Sequence, residues 1–461
     1  MKMIIDTALA LGPGLAEIRA SYQVPADFPP DVLAEAEQAA LRAPTEHVDR
    51  TDMPFVTLDP ATSTDLDQAF AIDRVGADIL LHYAIADVAW FVADDGPMDR
   101  EAWARGGTIY LPDGKARLYP AAISEAAASL LPDGPRPAII FTVRIAPDGS
   151  PTLEGAERAV IRSRAKLAYD SVRTSDLPPD FGELAARIAQ AEDARGASRV
   201  DPPEQEVAPD GQGGFTLRYR PRLPSEDRNA ALSLATNLAI GQALLAHRTG
   251  LFRVMAEPDA QAIARLRFTA RAFGLDWPAH ATLAQFERSL RTDVPAQAAF
   301  MLAIRRAGNG ASYEPWREGV TPWHSAVGAT YAQATAPLRR LADRYVVQAV
   351  LAIANGRAVP DPVTQAFEKL PPVMARADQR SGQIERAVID LAECLMLRGH
   401  EGARFPAIVT DLDERGARIQ LRDLPVVTRI AGNGHRPGAA IDVTLTSIDP
   451  VRRLIAMEAS G

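Results

Sequence analysis

Between residues 54 and 70 the chain reads PFVTLDPATSTDLDQAF, which places Asp59, Asp65 and Asp67 within nine positions of an otherwise apolar, strand-like segment. Carboxylates this close repel one another and resist desolvation. Two roles suit them. They can gather around a divalent cation, which favours a few carboxylates completed by water and phosphate, or they can be the turn formers and caps that aspartate often supplies. Pro60 biases Asp59 towards extended backbone. An extended Asp65-Leu66-Asp67 sends both acids to one side while Leu66 faces inward, and a fold-back of the intervening loop would bring all three together. A calcium loop is excluded by spacing: one opening at Asp65 needs Gly at its sixth position and Glu at its twelfth, where this chain has Phe70 and Gly76. Spacing alone leaves the cation site and the turn formers both open.

The elements that must carry these acids follow from periodicity. Residues 1–48 read as helical, in LGPGLAEIRASYQV and DVLAEAEQAALRA, with PADFPP as the breaker. From residue 53 the texture is β-rich through PFVTLDP, QAFAIDR and ADILLHYAIADVAWFV, and PAIIFTVRIAPDGSPTLEGAERAVIRS carries a hairpin at Pro147-Asp148-Gly149. Residues 157–200 read as helical, 200–214 as a polar loop, and 226–395 as mostly helices. After Gly399 about 60 residues of short strands suggest a small OB-like barrel. The fold class is therefore α+β, divided at 1–48, 49–398 and 399–461.

With 461 residues and ordinary apolar and charged fractions, the chain has room for two or three domains. No apolar run approaches the roughly 18–20 uninterrupted residues of a membrane helix, the opening residues do not read as a signal peptide, and Cys394 is the single cysteine. A reducing, cytoplasmic setting without membrane contact is expected. The net charge of −9 excludes a wholly basic coat protein but not a local arginine-lined channel. Lysine is scarce: Lys2, Lys115, Lys166 and Lys369 stand against 46 arginines. Arginine suits bidentate phosphate contacts, although a genome-wide bias gives the same excess. The seven histidines show no metal-ligand spacing and read as structural, as do Trp90, Trp103 and Trp323.

Read as an ordered series, the blocks resemble the catalytic RNB domain of the ribonuclease II / ribonuclease R family. PFVTLDPATSTDLDQA is similar to that family's metal-binding aspartate segment. It is followed by HYAIADVAWFV, by GGTIYLPDGKARLYPAAISEAAASLLPDGPRPA, by LFRVMAEPD and by ATYAQATAPLRRLADRYVVQ. The resemblance implies a mixed sheet wrapped by helices, a C-terminal S1-type barrel, and a monomer with no obligate protein partner. It also implies processive 3′→5′ hydrolysis of single-stranded RNA to nucleoside 5′-monophosphates with Mg2+, or Mn2+ as a substitute, by two-metal chemistry. On that likeness Asp59, Asp65, Asp67 and Gln68 are metal-ligand candidates, with Asp67, Arg339 and Glu385 catalytic. Tyr110, Arg339, Arg340, Tyr331 and Arg253 would contact RNA, and Arg340 suits a structural ion pair equally well. Arg218, Arg220 and Arg222 alternate beside Tyr219 as either a solvated edge or an RNA-backbone track.

The chain also departs from the family pattern. Gln68 stands where a fourth aspartate is usual, which predicts weaker binding of one metal. Ala230 and Ala231 replace paired glutamates ahead of Thr236-Asn237, Met255 replaces a histidine, and Val200 falls where an opposing aromatic would stand. Residues 1–48 cannot hold the cold-shock domains with which relatives begin, and read instead as a helix-turn-helix-like unit or a brace. The alternatives to a processive exonuclease are a weakened RNA-binding regulator on the same scaffold and an exonuclease specialised for short oligoribonucleotides.

Overall fold

The computed structural model describes residues 8–197, 204–209, 215–220, 222–291, 294–308, 310–413, 416–432 and 434–460. A five-stranded sheet forms its centre, in the order Val48–Asp49, Pro151–Ile161, Arg136–Ile145, Asp78–Ala86, Gln68–Val75. All neighbours are antiparallel except the short first strand, which runs parallel to its partner. Both hairpins follow from local turn chemistry. Gly76, at φ +62°, supplies the left-handed residue between Val75 and Asp78. At the second turn Asp148 Oδ1 accepts the Ser150 N–H at 2.9 Å, and Gly149 adopts φ +79°. A Cβ on Gly149 would collide with the Arg187 carbonyl of helix Phe181–Arg195, so this turn also fixes how the helix approaches the sheet.

Helix Pro224–Ala246 lies against the sheet, burying Leu232, Ala235, Ala239, Ile240 and Leu244. By length and composition it could cross a membrane, but most of that apolar stretch is packed inside the protein, as in a core helix. Helix Asp361–Leu397 runs along helix Leu341–Ala354, the N-terminal helix Ala8–Ser21 and the C-terminal strands. Helix Ala8–Ser21 sends Leu11, Leu15 and Ile18 into a cluster with Ile109, Leu111, Ala116, Ile384 and Leu391. Helix Pro30–Ala40 instead sends Val32, Ala36 and Ala39 into the main core. Among the described residues the two helices thus pack into different cores. The C-terminal strands close a barrel in the order Arg404–Asp413, Gly416–Leu421, Val427–Ile430, Leu454–Ala459, Ala440–Asp449, around Val409, Ile419, Val443 and Leu445.

Three stretches differ from their periodicity. Residues 157–168, expected as helix, complete the strand Pro151–Ile161, the return arm of a hairpin that also pairs with Val48–Asp49, and form Lys166–Ala168, which pairs with Thr57–Asp59. Glu204–Pro209, expected as loop, pairs antiparallel with Phe215–Arg220. Asp361–Leu397 continues through Pro371 and Pro372 as one helix, since its apolar stripe, Val363, Phe367, Leu370 and Met374, is buried on both sides of the prolines.

Gly149→Ala should lower stability by roughly 1–3 kcal/mol, because the new Cβ meets backbone and the left-handed φ is unfavourable for Ala. A thermal melt at neutral pH checks this, with no loss expected for the exposed control Gly76→Asn, since Asn tolerates that φ.

Candidate active site

The site begins with one bridge. Val56 and Phe70 exchange backbone hydrogen bonds of 3.0 and 2.9 Å in antiparallel register. Beyond that single bridge the two segments part: the Thr57 N–H turns to the Ala165 carbonyl, and Gln68 continues in register with Ile85. Thr57–Asp59 is fixed on its other side by parallel pairing with Lys166–Ala168. The loop between Asp59 and Asp67 is then fastened at several points. Lys166 Nζ donates to the carbonyls of Ala61 (2.8 Å) and Ser63 (2.6 Å). The buried Ser129 hydroxyl donates to the Thr64 carbonyl at 2.8 Å and accepts the Leu66 N–H at 2.9 Å. Leu66 is buried, as alternation required.

Each aspartate meets a different environment. Asp67 is 5% exposed; its Oδ1 accepts the Leu338 N–H at 2.7 Å and its Oδ2 lies 3.3 Å from Arg339 Nε. Burial nevertheless pushes its carboxyl up to about 7, against the pull of Arg339. Asp59 is also pushed up to about 7, chiefly by burial and further by Asp65, with Arg339 opposing. Its Oδ2 is buried without a hydrogen-bond partner. Asp65 turns elsewhere: Oδ1 lies 2.7 Å from Lys115 Nζ, and Oδ2 accepts the Tyr110 hydroxyl at 3.1 Å. Among the described residues no three His, Cys, Asp or Glu side chains form a ready metal cluster. The orphaned oxygen of Asp59 beside the raised carboxyl of Asp67 nevertheless fits a hard divalent cation, which would satisfy the one and stabilise the ionised form of both.

Tyr110 and Lys115 are paired residues of the hairpin Ile109–Leu111/Gly114–Ala116, so both reach Asp65 from one face. The Tyr110 ring is 53% exposed. The hairpin's other face packs on helices Ala8–Ser21 and Asp361–Leu397, and Arg19 Nη2 meets Asp113 Oδ1 at its turn at 2.7 Å. Arg339 keeps a half-exposed guanidinium, while its carbonyl accepts the Thr108 N–H at 3.0 Å. Gly107 permits that approach; a Cβ there would stand 3.2 Å from the Arg339 oxygen.

A polar stripe on helix Pro224–Ala246, at intervals of four residues, ties these pieces together. Asn229 Nδ2 donates to the Leu58 carbonyl at 3.2 Å, just before Asp59. Ser233 Oγ lies 3.2 Å from Gln68 Oε1. Asn237 accepts the Ala334 N–H at 3.0 Å and donates to the Tyr331 hydroxyl at 3.1 Å. Gly241 lets the chain at Thr330 and Ala332 pass close. Asn229, Ser233, Lys115 and Lys166 were not singled out from sequence; polar residues repeating every fourth position within an apolar helix were the available signal.

The family model described as RNB domain matches residues 47–355, and the one described as RNase II-type exonuclease C-terminal S1 domain matches residues 403–460. The chain belongs to the RNB family. It is 23% identical over 453 residues to Ribonuclease R 1 of Lactococcus lactis, covering 91% of this chain and 55% of that protein. It is 26% identical over 437 residues to Ribonuclease R of Aquifex aeolicus, covering 87% of this chain and 60% of that protein. The chain thus spans little more than half the length of these relatives. Mycoplasma genitalium RNase R, solved in complex with ribose-methylated single-stranded RNA, shares the fold at a TM-score of 0.87 and 20% identity, over 99% of this chain and 78% of that one.

In this RNB chain Asp59, Asp65, Asp67, Tyr110 and Arg339 come together, while other expected residues are engaged elsewhere. Gln68 is the neighbour of Asp67 on a strand, so it projects to the opposite face; its Oε1 accepts the Tyr83 hydroxyl at 2.5 Å. Arg340 pairs with buried Asp343 at 2.6 Å. Arg253 pairs with Asp378 at 3.0 Å and stacks over Tyr313. Tyr331 is half-buried, edge-on to His324, whose own pKa is lowered to about 4 by burial and by Arg253. Glu385 is exposed on the long helix beside Ile384, with no hydrogen bond or ion pair to the aspartates. Met255 forms a bridge to His324, Ala231 is buried and Ala230 exposed. Arg218 pairs with Glu206, Arg220 with Glu226 and Arg222 with Asp227. Val200 lies outside the described residues.

Two measurements test this electrostatics. With folded pKa values near 7 against an unfolded value near 4, the Asp59 and Asp67 carboxyls subtract from stability progressively as pH rises from about 4 to 7, and by a constant amount above. In chelator, Asp59→Asn should therefore melt above wild type at pH 8 and level with it at pH 4, and divalent cation should narrow the gap. Gln68→Asp should lower the melting temperature without tightening Mn2+ binding, because the new charge would face Tyr83 and Ser233; tighter binding would return position 68 to the metal.

Proposed function

We propose that this chain is a 3′→5′ exoribonuclease that hydrolyses single-stranded RNA processively to nucleoside 5′-monophosphates with Mg2+, Mn2+ serving as a substitute. The observation that carries this is that the half-exposed Arg339 guanidinium acts on both Asp59 and Asp67, with Asp59 Oδ2 left without a partner and the exposed Tyr110 on the Asp65 side. Asp59 and Asp67 would hold the cation, which when bound supplies the charge that activates water and steadies a departing 3′ oxygen. Arg339 retains free N–H donors for the phosphate, where negative charge grows in the transition state. Because its backbone is clamped by the segment at Gly107–Thr108, those donors are positioned before RNA arrives. The Tyr110 ring offers a stacking face for a terminal base, a contact of roughly 1–3 kcal/mol that tolerates any sequence. The hydroxyl bond to Asp65 fixes that ring relative to the acids. The barrel adds a second surface for the strand, which would keep RNA bound between successive cuts.

A 5′-labelled single-stranded RNA tests this reading with Mg2+, Mn2+ or chelator. Wild type should shorten the RNA stepwise from its 3′ end only when metal is present. Asp67→Asn and Arg339→Ala should each slow this about 100-fold or more, and Tyr110→Ala should change the length of the final fragment. RNA binding without metal-dependent shortening would favour the regulator, internal cuts would exclude an exonuclease, and activity confined to fragments of a few nucleotides would indicate short-oligonucleotide specialisation.

A further inference from the structure

Lysine is rare in this chain, four residues against 46 arginines, yet Lys115 and Lys166 both close on the loop that joins Asp59 to Asp67. Lys166 binds backbone carbonyls only. Lys115 does something different: its Nζ lies 2.7 Å from Asp65 Oδ1, 2.6 Å from Glu125 Oε1 and 3.3 Å from Thr64 Oγ1. An ammonium has three N–H donors in a compact tripod, and three oxygens meet it here; a flat guanidinium spreads its donors in one plane and would not serve the same three. The lysine, Asp65 and Glu125 side chains are 15%, 11% and 17% exposed, so the pair is largely withdrawn from water. Arg117 Nη2 completes the group, 2.8 Å from Glu125 Oε2.

The two halves of the site differ in how their carboxylates are met. Asp65 and Glu125 are bound directly by Lys115 and Arg117, which leaves that half neutral. Asp59 and Asp67 lie in the field of Arg339, and Asp59 also in that of Lys166, whose ammonium is committed to backbone carbonyls, so the Asp59 Oδ2 stays buried without a partner. Only this second half keeps an unsatisfied carboxylate oxygen. An ammonium within bonding distance of Asp65 also repels any divalent ion that would bind there. We propose that Lys115 is a positioning residue whose ammonium takes the place of a second divalent cation: it fixes Asp65, and leaves a single cation position on Asp59 and Asp67. This rests on the cation-dependent reading above and departs from the two-metal arrangement that the family resemblance implies. It also gives Asp65 a purpose without a metal, since the carboxylate held by Lys115 is the one that anchors the Tyr110 hydroxyl.

Mn2+ titration of the full chain, with free ion followed by electron paramagnetic resonance, tests the inference without relying on catalysis. Wild type should bind one Mn2+ per chain, and Lys115→Arg, which keeps the charge, should also bind one. Lys115→Met should take up a second Mn2+, or hold its ion about tenfold more tightly or better. Should Lys115→Met fail to fold, Lys115→Gln combined with Glu125→Gln leaves the local net charge unchanged and should show the same gain. Two ions of similar affinity in wild type, or unchanged number and affinity in a folded variant lacking the ammonium, would overturn the proposal. Asp67→Asn separates the two levels of the argument. It should abolish the wild-type ion, whereas no Mn2+ binding by wild type at any concentration would sink the cation-dependent reading and this proposal with it.

Discussion

Two desolvated carboxylates, Asp59 and Asp67, gathered around one guanidinium are the constraint around which this protein is organised. Nothing about that arrangement is favourable in itself: burial, reinforced by the charge of Asp65, raises both carboxyls to about 7. What surrounds them compensates. Arg339 and the Leu338 N–H serve Asp67, Lys166 fastens the loop backbone, and Lys115 pairs with Asp65, whose charge bears on both other acids. The residual mismatch, an orphaned oxygen on Asp59, is the kind of local deficit that a folded protein tolerates where a ligand will complete it.

The scaffold supplies that compensation from several directions. Helix Pro224–Ala246 touches the Asp59 strand, Gln68 and the segment before Arg339 with one stripe of side chains, so a single rigid element sets their spacing. The Tyr110–Lys115 hairpin has only three residues in each strand and could not hold its own shape in water. Its apolar face is covered by Leu11, Leu15 and Ile18, each worth about 1.5–3 kcal/mol when fully buried, and Arg19 pins its turn. The first helix of the extension is thereby joined to the catalytic machinery.

Gln68 follows Asp67 immediately, where the family pattern makes a fourth ligand the natural expectation. On a strand, however, neighbours face opposite ways, and the amide meets Tyr83 and Ser233 inside the core. Beside the half-exposed Arg339, Arg340 takes the structural ion pair that was one of its two expected roles, bound to Asp343 at the start of the next helix.

The sequence by itself determined the aspartate segment, the hairpin turn at Pro147-Asp148-Gly149, the C-terminal barrel and the order of motif blocks. Each of these is written in contiguous residues, through alternation, turn chemistry or composition. Tertiary structure alone decided that Asp65, while lying near its fellow acids, is the one paired with Lys115, and that Lys166–Ala168 is a strand. It likewise decided that Asp361–Leu397 runs unbroken through two prolines. Those outcomes depend on partners about 50 to 110 residues away, or on burial that outweighs a local breaker. Spacing can place three carboxylates near one another, but only the folded chain determines which cation each of them faces.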